Sequence, residues 1–303
     1  KVLGGVVDGE GKVLATRRYR TPVRDVGQTV EVIGKIAAEL SDEYRVSGMG
    51  IAIAGYVDAN QSVLQHSPNL PWGDDVEVRK LVTDIVDMPV VLENDANAAA
   101  WGEFRFGAGK GAKNLVLLTI GTGIGSGFVL GGRLYRGSFG KAAELGHQLA
   151  VPDGEPCGCG GRGCMERYAS GTALERYARE AIAADPGSGA RLLELSGGEA
   201  SAIVGAHVQQ AGREGDPASL AAFDRVGYWL GVAFADVVFS LDPDRIVVGG
   251  GVSESGDLLF EPAMTAYREV YRSRRRSEPV ATVALAALGN EAGLVGAADL
   301  ARV

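Results

Sequence analysis

Apolar residues recur along this chain in two rhythms, runs and helical spacing, and the way they alternate predicts an α/β fold. Val2-Leu3-Gly4-Gly5-Val6-Val7 is a compact apolar run, Asp8-Gly9-Glu10-Gly11 a turn, and Lys12 to Arg20 a partner run, which together predict a hairpin. Residues 25–44 switch to helical spacing, with Val26, Val30, Ile33, Ile36, Ala37 and Leu40 at the apolar positions. Val46 to Ala54 reads as a buried strand ending at Gly55, with a hairpin expected around Ala59-Asn60-Gln61. Residues 74–86 predict a helix and Pro89 to Leu92 a buried strand, from which the Ala-rich segment Asp95 to Phe106 opens directly.

A second cycle starts near Asn114. Leu115 to Ile120 predicts a strand, Gly121 to Gly127 a glycine turn, and Phe128-Val129-Leu130 another strand. Residues 131–168 are loop-rich, and 171–241 are mostly helical with glycine interruptions. The apolar stretch near 226–241 suits either core or a subunit interface. Asp244 to Val248 predicts a strand ending in Gly249-Gly250-Gly251, followed by a helix over 256–273, a strand over Val280 to Leu285 and a closing helix over 293–303. The hairpin-then-αβ order thus occurs twice. It predicts an N-terminal small domain over 1–113 and a larger domain over 114–292, with 293–303 packing back on the first. Two such halves would form a cleft at their junction, a common place for a small ligand.

Composition narrows the function classes. With 46% apolar and 22% charged residues among 303, the chain has the balance of a globular protein, not a disordered one. The net charge of −8 disfavours binding to phosphate backbones. The one dense basic run, Arg272, Arg274, Arg275 and Arg276, reads as a solvated helix end. No apolar run reaches membrane-spanning length, and the first residues already read as a strand, so neither a span nor a signal peptide is expected. All three cysteines lie within 157–164, which argues for metal and not for bridges, and a cytoplasmic location follows as the expectation.

Four segments carry candidate chemistry. His147, Cys157, Cys159 and Cys164 have the spacing H-x9-C-x-C-x4-C, which suits a closed, tetrahedral, structural Zn²⁺ site; three incidental cysteines in a loop are the competing reading. Beside them stand Glu144 and Glu166, whose carboxylates could accept the paired hydroxyls of a sugar or simply be surface charges. Glu93-Asn94-Asp95-Ala96-Asn97 lies where an apolar strand passes into a helix, the usual ligand edge of open α/β sheets. Asp95 could take a proton from a substrate hydroxyl, although Asp and Asn are equally ordinary helix caps. Thr119-Ile120-Gly121-Thr122-Gly123-Ile124-Gly125-Ser126-Gly127 exposes backbone N–H groups suited to a nucleotide phosphate, and is neither a Walker A loop nor a Rossmann fingerprint. Gly249-Gly250-Gly251 would let a flat adenine or ribose lie on bare backbone, or serve only as a tight βα turn. His66 and His207 carry no motif and read as structural or surface residues.

In this order, Glu93-Asn94-Asp95-Ala96-Asn97, Gly121-Thr122-Gly123, Glu144-Leu145-Gly146-His147, Cys157-Gly-Cys159-Gly160-x-x-Gly163-Cys164-x-Glu166 and Gly249-Gly250-Gly251 resemble the ROK family of sugar kinases and sugar-responsive repressors. The nearest resemblance is to the kinases of the actinobacterial glucose-phosphorylating type. It implies a two-domain actin-like ATPase (ribonuclease H-like) fold around a cleft, and transfer of the γ-phosphoryl group of ATP to a hexose, glucose first. It further implies Asp95 as general base, and Asn94, Glu144, His147, Glu166 and Asn69 as sugar contacts. Gly121, Thr122 and Gly123 would hold phosphate, Gly249, Gly250 and Gly251 would face adenosine, and His147, Cys157, Cys159 and Cys164 would hold zinc. Mg²⁺ would accompany ATP, and the family forms homodimers or homotetramers. The family's opening Asp-x-Gly-Gly-Thr-Lys occurs nowhere in these residues, so its first strand is expected to be missing. A kinase for mannose, fructose, allose or an N-acetylhexosamine remains the alternative, as do a truncated non-catalytic sugar sensor and a repressor. The repressor reading is weakened by the negative charge and the lack of a helix-turn-helix segment.

Overall fold

The computed structural model describes residues 1–22, 24–275 and 277–302. The chain divides into two compact units that interleave in sequence: residues 1–117, 126–143 and 286–303 make the first, and 118–125 and 144–285 the second.

In the first unit, β1 (Val2–Val7) and β2 (Val13–Tyr19) pair antiparallel, with Val2 opposite Tyr19. The turn is tied by Asp8, whose Oδ1 accepts from the backbone N–H groups of Glu10 and Lys12, each at 2.9 Å. Helix α1 (Val26–Glu43) starts where Asp25 accepts from the N–H of Gln28, and buries Val30, Ile36, Ala37 and Leu40. After β3 (Met49–Ile53) come the short β4 (Tyr56–Val57) and β5 (Leu64–His66), then α2 (Val78–Thr83). Strand β6 (Val90–Asn94) pairs parallel with β3, Met49 opposite Val90 and Ile53 opposite Asn94, and runs without a loop into α3 (Asp95–Phe106). The core beneath β3 and β6 is Val30, Ile53, Val57, Leu64, Val78, Val82, Val90 and Leu92. β1 with β2 and β3 with β6 form separate two-stranded sheets, and β1 and β3 both line a cavity of about 430 Å³.

Strands β7 (Leu115–Ile120), β8 (Ile124–Leu130) and β9 (Arg133–Tyr135) follow; the division between the units runs through β7 and β8 themselves. In the second unit, α4 (Glu166–Ala169), α5 (Gly171–Ala184), α6 (Ala190–Leu195) and α7 (Gly205–Arg213) lead to the 25-residue α8 (Pro217–Leu241). Helix α8 begins on an Asp216 cap with Pro217 in its first turn, and it buries Phe223, Val226, Leu230, Phe234 and Val238. Strand β10 (Arg245–Gly249), α9 (Asp257–Arg275) and β11 (Thr282–Leu285) complete this unit, and α10 (Ala292–Leu300) returns to the first, where it packs on α3 and β3. The order across the five-stranded sheet is β11-β10-β7-β8-β9, with β10 and β11 parallel and β8 and β9 antiparallel.

Two expected elements are corrected. The helix expected over 74–86 is confined to Val78–Thr83, because Asp75 takes a left-handed φ of 56° and Val76 bridges to Leu64, drawing the preceding residues into extended pairing. The glycine turn expected over Gly121 to Gly127 shrinks to three residues, since β8 already starts at Ile124. The basic run ends α9 as expected: Arg272 pairs with Glu278 at 2.6 Å and Arg274 with Asp236 at 2.9 Å, while Arg276 lies outside the described residues. No helix of the described residues is long and apolar enough to cross a membrane.

Candidate active site

The first unit contributes the strand-to-helix junction at residues 93–97. Asn94 is the N-cap of α3: its Oδ1 accepts from the N–H of Asn97 at 3.0 Å. Its Nδ2 donates to the carbonyl of Gly55 at 3.1 Å and to Asp95 Oδ1 at 3.3 Å. Both amide hydrogens and one carbonyl lone pair of Asn94 are therefore committed within the protein, which leaves one lone pair for a ligand. Asp95 Oδ1 also accepts from the N–H of Ala96 at 2.9 Å, while Oδ2 has no hydrogen-bond partner among the described residues. Asp95 keeps an exposed face, yet the surrounding protein displaces enough solvent that burial pushes its carboxyl above the usual value, against the lowering effect of the Ala96 N–H. Asn69 is exposed on the loop after β5, where the buried Ser67 hydroxyl accepts from the N–H groups of Asn69 and Leu70 at 3.2 Å each.

The second unit contributes the other candidates. The ligand atoms of His147, Cys157, Cys159 and Cys164 all lie within 4.8 Å of one another. His147 sits on a short 3₁₀ turn, Leu145–His147, whose N-cap is Glu144; Nδ1 of the ring is 3.7 Å from Cys157 Sγ. Cys159 and Cys164 bring their sulfurs to 3.6 Å. Burial pushes the Cys157 thiol up and Cys164 up to about 12, whereas the N–H of Gly161 holds Cys159 below its usual value. Three sulfurs and one imidazole converging on one point match the donor set of a closed structural zinc site. A cation there would favour the thiolate forms and offset the cost of gathering them.

Glu166, the first residue of α4, joins this loop to the glycine turn. Its Oε2 accepts from the N–H of Ile124 at 3.1 Å, and its Oε1 lies 3.6 Å from Cys157 Sγ. A side chain on Gly123 would meet that carboxylate and push Glu166 away from its bond to the Ile124 N–H. In the turn itself the N–H of Gly121 donates to the carbonyl of Gly123 at 2.9 Å, and the exposed Thr122 has its carbonyl bound by Thr172 Oγ1 at 2.7 Å. At the end of β10, Gly250 has φ 89°, and a Cβ there would stand 2.5 Å from the Ile120 carbonyl. Gly251 has open space above its Cα, and its carbonyl accepts from Gln209 Nε2 at 3.1 Å.

Sequence reasoning gave Glu93 no role beyond its place in the motif, and it missed Gln61 and Arg136 at the first junction and Thr172 beneath the glycine turn. Glu93 had one legible sign, a charge directly after the apolar run Val90-Val91-Leu92.

Comparison with known proteins agrees with the motif order. The model of the ROK family matches residues 1–303. A glucokinase of Streptomyces coelicolor is 43% identical over 302 residues, spanning 100% of this chain and 94% of its own. The crystal structure of a ROK family glucokinase from Streptomyces griseus in complex with glucose and AMPPNP is 45% identical, with a TM-score of 0.88 over 98% of this chain and 95% of that one. A ROK hexokinase from Thermus thermophilus is 33% identical, with a TM-score of 0.81 over 98% and 93%. With its motifs, its α/β architecture and its whole length matched, the chain belongs to the ROK family.

Proposed function

We propose that this chain transfers the γ-phosphoryl group of ATP to the 6-hydroxyl of glucose. The observation that carries the reading is Asp95: a carboxylate at the head of a helix, with Oδ1 held by two donors and Oδ2 without a partner among the described residues, in a chain 43% identical over 302 residues to a glucokinase.

Each group then has a task. A sugar alcohol is a poor nucleophile until a base takes its proton as the P–O bond forms. Asp95 Oδ2 accepts that proton while the bond between the γ-phosphorus and its bridging oxygen breaks and ADP leaves. Phosphoryl transfer asks mainly for alignment and charge stabilisation. Asn94, through its remaining lone pair, and Asn69 contribute to alignment of the sugar. Glu144 and Glu166 accept sugar hydroxyls, and His147 offers Nε2. His147, Cys157, Cys159 and Cys164 hold zinc, whose contribution is to fix the loop and the orientation of His147. The N–H groups of Thr122 and Gly123 and the Thr122 hydroxyl meet the phosphates of Mg-ATP, which enters as substrate, while Gly121, its N–H bound to the Gly123 carbonyl, closes the turn that presents them. Gly249 to Gly251 face adenosine. We further propose a cytoplasmic homodimer or homotetramer.

The test is ADP release from Mg-ATP with a panel of sugars. Glucose should give the highest kcat/KM, above mannose, fructose, allose and N-acetylhexosamines; a higher value for any of these would reassign the substrate. Asp95→Asn should lower kcat by about 10²–10⁴-fold with little change in glucose affinity. Turnover comparable to wild type in that variant would remove Asp95 from the role.

A further inference from the structure

Glu93 is 2% exposed, one residue from the end of a strand whose other members are Val90, Val91, Leu92 and Asn94. Sheet pairing does not ask for a charge there, since the residue opposite is Ala52. A buried carboxylate is costly unless its lone pairs are met, and this one meets four donors. Oε2 accepts from Arg136 Nε at 2.6 Å and Gln61 Nε2 at 3.3 Å. Oε1 accepts from the N–H of Asn94 at 3.0 Å and from Asn97 Nδ2 at 3.1 Å. Asn97 is turned so that its amide donates to Glu93 although its own Oδ1 is left buried and unpartnered, an orientation that follows from the carboxylate being there.

The bonds form a chain that leads to Asp95. Glu93 holds the peptide before Asn94 and the first turn of α3; Asn94 caps that turn and donates to Asp95 Oδ1. With Oδ1 held on one side, Oδ2 is the oxygen left over. We propose that Glu93, neutralised by Arg136, is a positioning residue for phosphoryl transfer, holding the β6–α3 junction so that Asp95 Oδ2 meets the acceptor hydroxyl. This rests on the reading of Asp95 as the base.

A double-mutant cycle tests it. Glu93→Gln retains the shape and removes the charge, and it puts an amide donor among donors. Misplacing a reacting group by about 1 Å costs on the order of 10²-fold, so Glu93→Gln should lower kcat by about 10–100-fold and leave the KM for glucose within about threefold. On the Asp95→Asn background, where residual transfer is followed with labelled ATP, the same substitution should change the rate by less than about twofold, because the group it positions is gone. Arg136→Lys, at a partly exposed site, should show the same pattern more weakly, and it carries the test if Glu93→Gln does not fold. Wild-type kcat in Glu93→Gln, with Asp95→Asn impaired, overturns the proposal alone. A loss that persists undiminished on the Asp95→Asn background also overturns it, as a purely structural role would behave so. Full turnover in Asp95→Asn instead defeats the reading of the base, and the positioning role with it.

Discussion

Asp95 shows how a single residue carries opposing demands. As the first residue of α3 it sits where the helix dipole favours a negative charge, yet its carboxyl is raised because burial outweighs its hydrogen bonds. A base must be deprotonated to act, so kcat/KM should fall on the acid side at a pH above that of an ordinary aspartate, whose pKa is about 3.9. A folded-state value above the unfolded one means that the folded form binds the proton more tightly. Ionisation of Asp95 therefore opposes folding as pH rises above the unfolded value, and the penalty is fully present once pH exceeds the raised folded-state value. Asp95→Asn should accordingly melt at the wild-type temperature or higher at pH 7 while losing turnover, which calorimetry and kinetics on one preparation would show together. A large fall in melting temperature would mean that the charge stabilises the fold. The candidacy of Asp95 was legible from its place after an apolar strand; its Oδ1 and Oδ2 were not distinguishable until Asn94 and Ala96 were seen to hold one of them.

Among the elements, the segment 144–166 gathers its candidate ligands from one short stretch of chain. Its four candidate ligands lie within His147 to Cys164, and its glycines allow tight reversals, Gly160 at φ 88° and Gly163 at φ 75°. Zinc bound by these four ligands, as proposed above, would contribute folding energy to the loop. Chelation should lower the melting temperature and raise the KM for glucose, with both restored by added zinc. An unchanged glucose KM after verified metal loss would separate the loop from the sugar. That its four candidate ligands gather at one place was readable from their spacing. Its tie to the glycine turn was not, because Glu166 reaches Ile124 from 42 residues away. Helix α2 was over-extended by its periodicity for a similar reason: the pairing of Val76 with Leu64 competes with helix formation and is invisible in a local window.

At the scale of the molecule, each unit is closed by helices that approach through small residues. In the second unit, α8 and α9 pack with Phe234 edge-on to Tyr267 at 6.0 Å and Phe239 stacked on Tyr271 at 5.4 Å. Between them Gly231 leaves no space for a methyl group: a Cβ there would lie 2.5 Å from the Ala263 carbonyl and 2.6 Å from the Tyr267 nitrogen. Both are backbone atoms that cannot step aside without moving α9. Gly231→Ala should therefore destabilise the protein by about 1–3 kcal/mol, although alanine is the better helix former; denaturant unfolding would measure it. A gain in stability would mean that the helices separate freely.

The sequence by itself determined the α/β alternation, the clustering of His147, Cys157, Cys159 and Cys164, the strand-to-helix junction that presents Asp95 and the family to which the chain belongs. All of these rest on short local motifs and their order along the chain, where spacing and backbone preference suffice. Only the tertiary structure decided which oxygen of Asp95 is free, that Glu166 braces Ile124 beside Cys157, and that Glu93 is caged by Gln61 and Arg136, 32 and 43 positions distant. It also decided where the units divide, through β7 and β8 instead of between elements. The physical reason is common to these cases. A buried polar group is defined by the donors that surround it, and packing brings those donors from segments that share no local pattern.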